Sequence, residues 1–173
     1  MDASVPCFWR CGMDKRFEGS SLDRQLPCEW QHGADATVLL VCDDQQDIAI
    51  VRKALSEAPL RLCVKVCANG PGAQDVLRRC LDDQARTLPD LILLDLQRAD
   101  AGAFEFLKQV KDAPDLRAIP VCTLTNGDDD LGREAYAAGA NAVVSKVGTL
   151  EAMGQILNAI VEFWFKTAKR YYV

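Results

Sequence analysis

The sequence predicts a doubly wound α/β domain, a five-stranded parallel sheet flanked by five helices. Two observations carry that prediction. From Ala34 onward, short apolar runs alternate five times with segments whose apolar residues recur at helical spacing. Connections this short between parallel strands demand right-handed crossovers, which lay helices on both faces of the sheet. The run Pro89-Asp90-Leu91-Ile92-Leu93-Leu94-Asp95 is apolar without alternation, as a strand covered on both faces must be.

The elements follow in order. Thr37 to Cys42 reads as the first strand, followed by the acidic turn Asp43-Asp44 and a helix carrying Ile48, Val51 and Leu55 at helical spacing. Leu60, Leu62, Val64 and Val66 alternate as a second strand; Asn69-Gly70-Pro71-Gly72 then breaks the chain before a helix marked by Val76, Leu77, Cys80 and Leu81. The third strand ends on Asp95. A polar loop leads to a helix with Phe104, Leu107 and Val110 on one face, ended around Asp112-Ala113-Pro114. Ile119 to Thr125 forms the fourth strand with Asn126-Gly127-Asp128 as its exit turn, and a short helix through Leu131, Ala135 and Ala138 stops at Gly139. Ala142 to Lys146 is the fifth strand. A long last helix carries Leu150, Met153, Ile156, Leu157, Ile160, Val161 and Trp164.

The domain therefore spans residues 34–164, with an N-terminal extension over 1–33 and a C-terminal arm over 165–173. Its length of 173 residues suits one domain with a sizeable core. The net charge of −5 and the lack of a Lys/Arg block before the last residues argue against a nucleic-acid groove. No apolar run approaches the roughly 18 residues of a membrane span, and the N-terminus lacks the order of a secretory signal, so a cytoplasmic location is expected. Of eight cysteines, Cys42, Cys63, Cys67, Cys80 and Cys122 lie on apolar patterns where free thiols act as small hydrophobes, and these five read as reduced. In the extension, Cys7 and Cys11 form one pair and Cys28 and His32 another, sixteen residues apart. That spacing is compatible with a Cys3His zinc site, but the pairs lack the closer cysteine spacing and flanking glycine of common zinc knuckles, and incidental thiols on a flexible tail are the ordinary reading.

The chemistry concentrates at one sheet edge. Asp43-Asp44-Gln45 stands where a dinucleotide-binding fold would place a Gly-rich turn, which argues against that ligand. The carboxyl ends of the first, third, fourth and fifth strands carry Asp43, Asp95, Thr125 and Lys146, and in a doubly wound sheet these ends converge on one crevice. Each residue alone has an ordinary reading, as a turn aspartate, a strand-end threonine or a surface lysine. Together they suit Mg²⁺ held by Asp43, Asp95, a backbone carbonyl and water, beside Asp95 as nucleophile toward a phosphoryl group. Lys146 would neutralise the phosphoryl oxygens and Thr125 would hydrogen-bond the product.

Through VLLVCDD, PDLILLDLQ, IPVCTLT and the strand-end Ser145-Lys146, residues 36 to about 165 resemble the receiver (CheY-like) domain of two-component response regulators. The segments PDLRAIPV, AYAAGAN and Glu162-Phe163-Trp164-Phe165 are similar to those of the single-domain regulators that partner phytochromes. The resemblance implies a strand order of 2-1-3-4-5 and no enzyme in the usual sense. It also implies a phosphoacceptor at Asp95, metal ligands at Asp43, Asp95 and the Gln97 backbone, a switch hydroxyl at Thr125 and a phosphate-binding Lys146. The implied donor is a histidine kinase of phytochrome type. A homodimer would use the C-terminal arm, with Trp164, Phe165 and Tyr171 in its interface.

The sequence also departs from that pattern. Cys42 occupies the first position of the family's acidic pair, with Asp44 as the further candidate to replace the lost charge. One missing anion near a divalent cation costs a few kcal/mol at an effective dielectric of about 20, so Mg²⁺ affinity is expected to be weak. Val143 replaces the family's switch aromatic, Val147 the proline after the lysine, and Ala99 the proline after the acceptor strand. Two main functions follow: a stand-alone phosphoacceptor with output through protein contacts, or a degenerate pseudo-receiver acting without phosphate. Zinc or cysteine oxidation in the extension, with Cys42 as an additional redox candidate, is a third, regulatory possibility.

Overall fold

The computed structural model describes residues 33–82, 88–97 and 101–169. The chain runs β1 (Ala36–Val41), α1 (Gln45–Ser56), β2 (Leu62–Cys67), α2 (Gly70–Asp82), β3 (Leu91–Asp95), α3 (Ala101–Asp112), β4 (Val121–Thr125), α4 (Asp129–Ala137), β5 (Ala142–Ser145) and α5 (Leu150–Glu162). All four strand pairings are parallel, in the order β2-β1-β3-β4-β5. Among the described residues no helix is long and apolar enough to cross a membrane. Cys7, Cys11, Cys28, His32, Ala99 and Tyr171 lie outside the described residues.

The sheet separates two apolar layers, and the alternation of side chains across each strand sorts residues between them. Leu39, Val41, Ile92 and Leu94 face the layer built with α2, α3 and α4. Val38, Leu40, Leu91 and Leu93 face the layer built with α1 and α5. Because β3 is central and buried on both faces, its sequence shows no polar alternation.

The second strand differs from its expected polar-apolar alternation. Leu62 and Val64 enter one layer while Cys63 and Cys67 enter the other, so both of its faces are covered. Cys42, Cys63, Cys67 and Cys122 are buried and take part in no disulfide. Cys80 corrects the expectation of five reduced cysteines, because it is disulfide-bonded. Helical periodicity places a sulfur inward without distinguishing a thiol from a half-cystine.

On α3 the fully buried ring is Phe106, while Phe104 is only partly buried against the same layer. Close approach of the helix before it accounts for this choice. Asn69 accepts from the Gly72 amide at the start of α2, and a Cβ at Gly70 would collide with the Gly102 carbonyl oxygen and approach Phe106 Cβ to 2.9 Å. Glycine at position 70 therefore lets α2 and α3 cross almost backbone to backbone.

The last helix buries Met153, Leu157 and Val161 but leaves Leu150 exposed. It continues as a π-helical turn over Phe163–Thr167, so the boundary expected at 164 falls inside a helical segment. Trp164 and Phe165 are partly buried against the α1/α5 layer, whereas Phe163 is 51% exposed.

At the amino-terminal edge of the sheet, Lys111 ties three segments together. Its Nζ donates to the Ile119 carbonyl at 2.6 Å, Asn141 Oδ1 at 2.7 Å and the Arg117 carbonyl at 3.3 Å. Its stem lies over Gly139, whose φ of +98° suits glycine and whose absent Cβ leaves room for the lysine. Burial pushes the ammonium down to about 8, yet these three acceptors favour its charged form. Lys111→Met is expected to cost about 2 kcal/mol, because charge-assisted bonds are lost and the part-buried Ile119 carbonyl loses this partner. The check is a lower urea midpoint with an unchanged slope.

Candidate functional site

The carboxyl edge of the sheet gathers side chains from β1, α1, β3, β4 and β5. Cys42 extends β1 by one residue, its amide donating to the Cys67 carbonyl at 2.9 Å. Asp44 then starts α1: its Oδ1 accepts from the amides of Gln46 (2.8 Å) and Asp47 (2.9 Å), the usual bonding of a helix N-cap. These bonds hold the Asp44 carboxyl below its ordinary range. They also occupy Oδ1 of Asp44, the further candidate to replace the missing acid, with the helix cap.

The same cap places Asp47 in the first turn of α1, where it meets Lys146 just beyond β5. Lys146 Nζ donates to Asp47 Oδ2 at 2.6 Å and lies 2.9 Å from Asp95 Oδ1. Burial alone would lower the lysine's pKa, but the bond to Asp47 and the charge of Asp95 outweigh it and hold it above the ordinary value. The ammonium therefore stays charged between two carboxylates. Thr125 ends β4, buried, and its carbonyl accepts from the Lys146 amide at 2.7 Å. This backbone bond makes the threonine and the lysine neighbours at the edge.

Asp95 is only 6% exposed. Its Oδ2 faces Cys42, whose thiol donates at 3.4 Å, and its Oδ1 accepts no aligned hydrogen bond although the ammonium is in ionic contact. Burial first, and the Asp95 charge second, push the Cys42 thiol up to about 12. The folded state thus retains a proton that the unfolded thiol releases near pH 8.5. Any stability tied to that neutral thiol is present below the unfolded pKa and is lost as pH rises toward 12. Thermal melts across pH 8.5 to 12 are expected to show a steeper loss for the unaltered chain than for Cys42→Ser. Alkylation of folded Cys42 at pH 8 is expected to be slow for the same reason.

Lys146 thus lies against Asp95 through its side chain and beside Thr125 through its backbone. Asp43 is exposed and does not join the group; the second carboxylate brought to the edge is Asp47. Sulfur and carboxylate oxygens of Cys42, Asp47 and Asp95 lie within 4.8 Å of one another. Two carboxylates offer the oxygen ligands a divalent cation takes, at a place where the Lys146 ammonium lies against both. Gln97, two residues past β3, is exposed at the same edge. Val143, which stands at the switch-aromatic position, donates its amide to the hydroxyl of Tyr136 on α4 at 3.2 Å. Asp47 was legible as a first-turn acid three residues past an N-cap aspartate, a pattern that places it beside the edge.

No family model matches the chain. Over 129 residues it is 33% identical to the probable methanogenesis regulatory protein FilR2 of Methanothrix harundinacea, covering 73% of this chain and 82% of that one. It is 29% identical over 133 residues to the response regulator Rcp1 of Synechocystis, covering 75% and 89% respectively. The crystal structure of the phosphorylated cyanobacterial phytochrome response regulator RcpA is similar at a TM-score of 0.67 and 31% identity, over 78% of this chain and 97% of that chain. The manganese-bound form of Rcp1 is similar at a TM-score of 0.67 and 27% identity, over 79% and 99%.

Proposed function

This chain belongs to the receiver family of two-component response regulators, and from that premise we propose that it is a phosphoacceptor whose acceptor is Asp95. The observation that carries the proposal is the Lys146 ammonium held against Asp95 and Asp47 beside Thr125. A histidine kinase presents a phosphohistidine. An Asp95 carboxylate oxygen forms the new bond to phosphorus as the phosphorus–nitrogen bond breaks, and the histidine nitrogen keeps the electron pair. Lys146 offsets charge on the transferring oxygens, and the Thr125 hydroxyl hydrogen-bonds the product. Asp95 and Asp47 would hold the divalent cation, with the Gln97 carbonyl and water completing its shell. When bound, that cation supplies positive charge beside the phosphoryl group.

Phosphorylation replaces the single charge of the Asp95 carboxylate with a bulkier group carrying about −1.5 to −2 at a buried position, so the Lys146 and Thr125 segments must rearrange around it, and β4 and β5 carry the change to α4 and α5. The similarity to the phytochrome response regulator RcpA makes a phytochrome-type kinase the favoured donor, acting in the cytoplasm. Output runs through protein contacts, including a homodimer in which Phe163, with Trp164, Phe165 and Tyr171, contributes the C-terminal face. Such a contact would cover a ring that is costly to leave in water.

A second reading is favoured by one observation: Asp95 is nearly closed off, with the Cys42 thiol on one of its oxygens. In that reading the chain is a pseudo-receiver, an interaction module that works without phosphate. Incubation with acetyl phosphate and Mg²⁺ or Mn²⁺, followed by intact mass measurement, separates the two. A phosphate adduct on the unaltered chain and none on Asp95→Asn supports the phosphoacceptor; no adduct with either cation supports the module.

A further inference from the structure

We propose that Asn126-Gly127 is a self-modification site: the asparagine gives up its side-chain amide to water, and the carboxylate left at the mouth of the site slows phosphoryl capture at Asp95. The effect on capture rests on the proposed phosphoacceptor function; the modification itself does not. The chain carries the same dipeptide twice, at 69–70 and at 126–127, and the fold treats the two copies oppositely.

The first copy is locked. Asn69 Oδ1 accepts from the Gly72 amide at 2.8 Å and its carbonyl from the Ala73 amide at 3.1 Å, the bonding of a helix start. Gly70 is the buried first residue of α2, so close to Gly102 that no Cβ fits, and its amide nitrogen cannot swing toward the Asn69 side chain. The second copy lies in the bend between β4 and α4, with both residues exposed. Gly127 has a φ of +80°, and nothing stands within 4 Å of where its Cβ would be. Among the described residues no hydrogen bond holds the Asn126 side chain or the Gly127 amide. Glycine leaves that nitrogen unshielded and the bend free to turn.

The chemistry needs only water. The Gly127 amide nitrogen bonds to Asn126 Cγ as the Cγ–Nδ2 bond breaks; its proton passes to the leaving group, which departs as ammonia. Water then opens the cyclic imide. Opening at Cγ leaves an aspartate, whereas opening at the backbone carbonyl leaves an isoaspartate, whose main chain runs through Cγ. Either product places a new negative charge beside Thr125, whose carbonyl accepts from the Lys146 amide at 2.7 Å, and just before Asp128, whose side chain caps α4. A charge there repels an incoming phosphoryl group and partly offsets Lys146.

The test ages the full chain in warm, mildly alkaline buffer and maps its peptides by mass. The peptide holding Asn126 is expected to gain about 1 Da and to split into two products, while the one holding Asn69 keeps its mass. Gly127→Ala is expected to slow the change by roughly tenfold, because a Cβ then crowds the attacking nitrogen. Asn126→Asp supplies the charge without ageing and is expected to capture a phosphoryl group from acetyl phosphate about fivefold more slowly than the unaltered chain, with a smaller difference at high salt. Equal gains at both asparagines, or none at Asn126 after a short peptide of the same sequence has converted, overturn the site. A gain at Asn126 with an unchanged rate in Asn126→Asp overturns the effect on capture. Should neither protein form an adduct, the phosphoacceptor function fails and takes that effect with it, while the mass gain at Asn126 stands by itself.

Discussion

Lys146→Met is expected to slow capture of a phosphoryl group from acetyl phosphate by about 10² to 10³-fold, the usual loss when one preorganised donor to a developing anion is removed. The size follows from placement. The ammonium is largely buried, already in contact with Asp95 Oδ1 at 2.9 Å and anchored by Asp47 at 2.6 Å, so it needs no reorganisation when negative charge builds up on the transferring oxygens. Methionine has similar length and no charge. It should keep the packing while leaving two carboxylates facing each other without their cation. Divalent-ion affinity is therefore expected to rise in the same variant, since a metal ion then becomes the main source of positive charge between Asp47 and Asp95. Initial rates of adduct formation by mass, together with metal titration, check both halves. An unchanged rate would remove Lys146 from the transfer step.

How far the sequence revealed this site depended on what each residue's position is determined by. Asp95, Thr125 and Lys146 sit at or just beyond strand ends, and strand ends in a doubly wound sheet converge by topology, so apolar runs and their terminal polar residues sufficed to place them. Asp47 was harder to find because its position depends on a helix cap. Asp44 spends its carboxylate on two α1 amides, and only that choice aims the first turn at Lys146. Cys42 was read as a missing charge; its contact with Asp95 is a matter of side-chain direction at the end of β1, which no run of letters specifies. The disulfide at Cys80 was hidden for a similar reason, since periodicity reports burial and says nothing of the sulfur's bonding. Strand β2 misled in the opposite sense. Leu62 and Val64 suggested one buried face, but the thiols of Cys63 and Cys67 bury the other, because small sulfur residues pass for neutral in an alternation count.

Helix α3 supplies the sharpest stability contrast, between two phenylalanines two residues apart. Phe106→Ala is expected to cost about 3 to 5 kcal/mol and Phe104→Ala about 1 kcal/mol, measured by urea unfolding. A ring at 104 fits the helical stripe with Leu107 and Val110 as well as one at 106 does, so spacing alone does not choose. Packing chooses, because Phe106 is 1% exposed and Phe104 only partly covered. The cost at 106 should lie high in its range because the cavity cannot close. At Gly70 the α2 backbone already sits so near α3 that an added Cβ would meet Gly102 and Phe106, so neither helix can move inward to fill the space. Equal losses for the two variants would mean that α3 rotates to present either ring. It would also mean that the α2 and α3 crossing, on which the position of β3 and of Asp95 at its end depends, is softer than its close backbone contact requires.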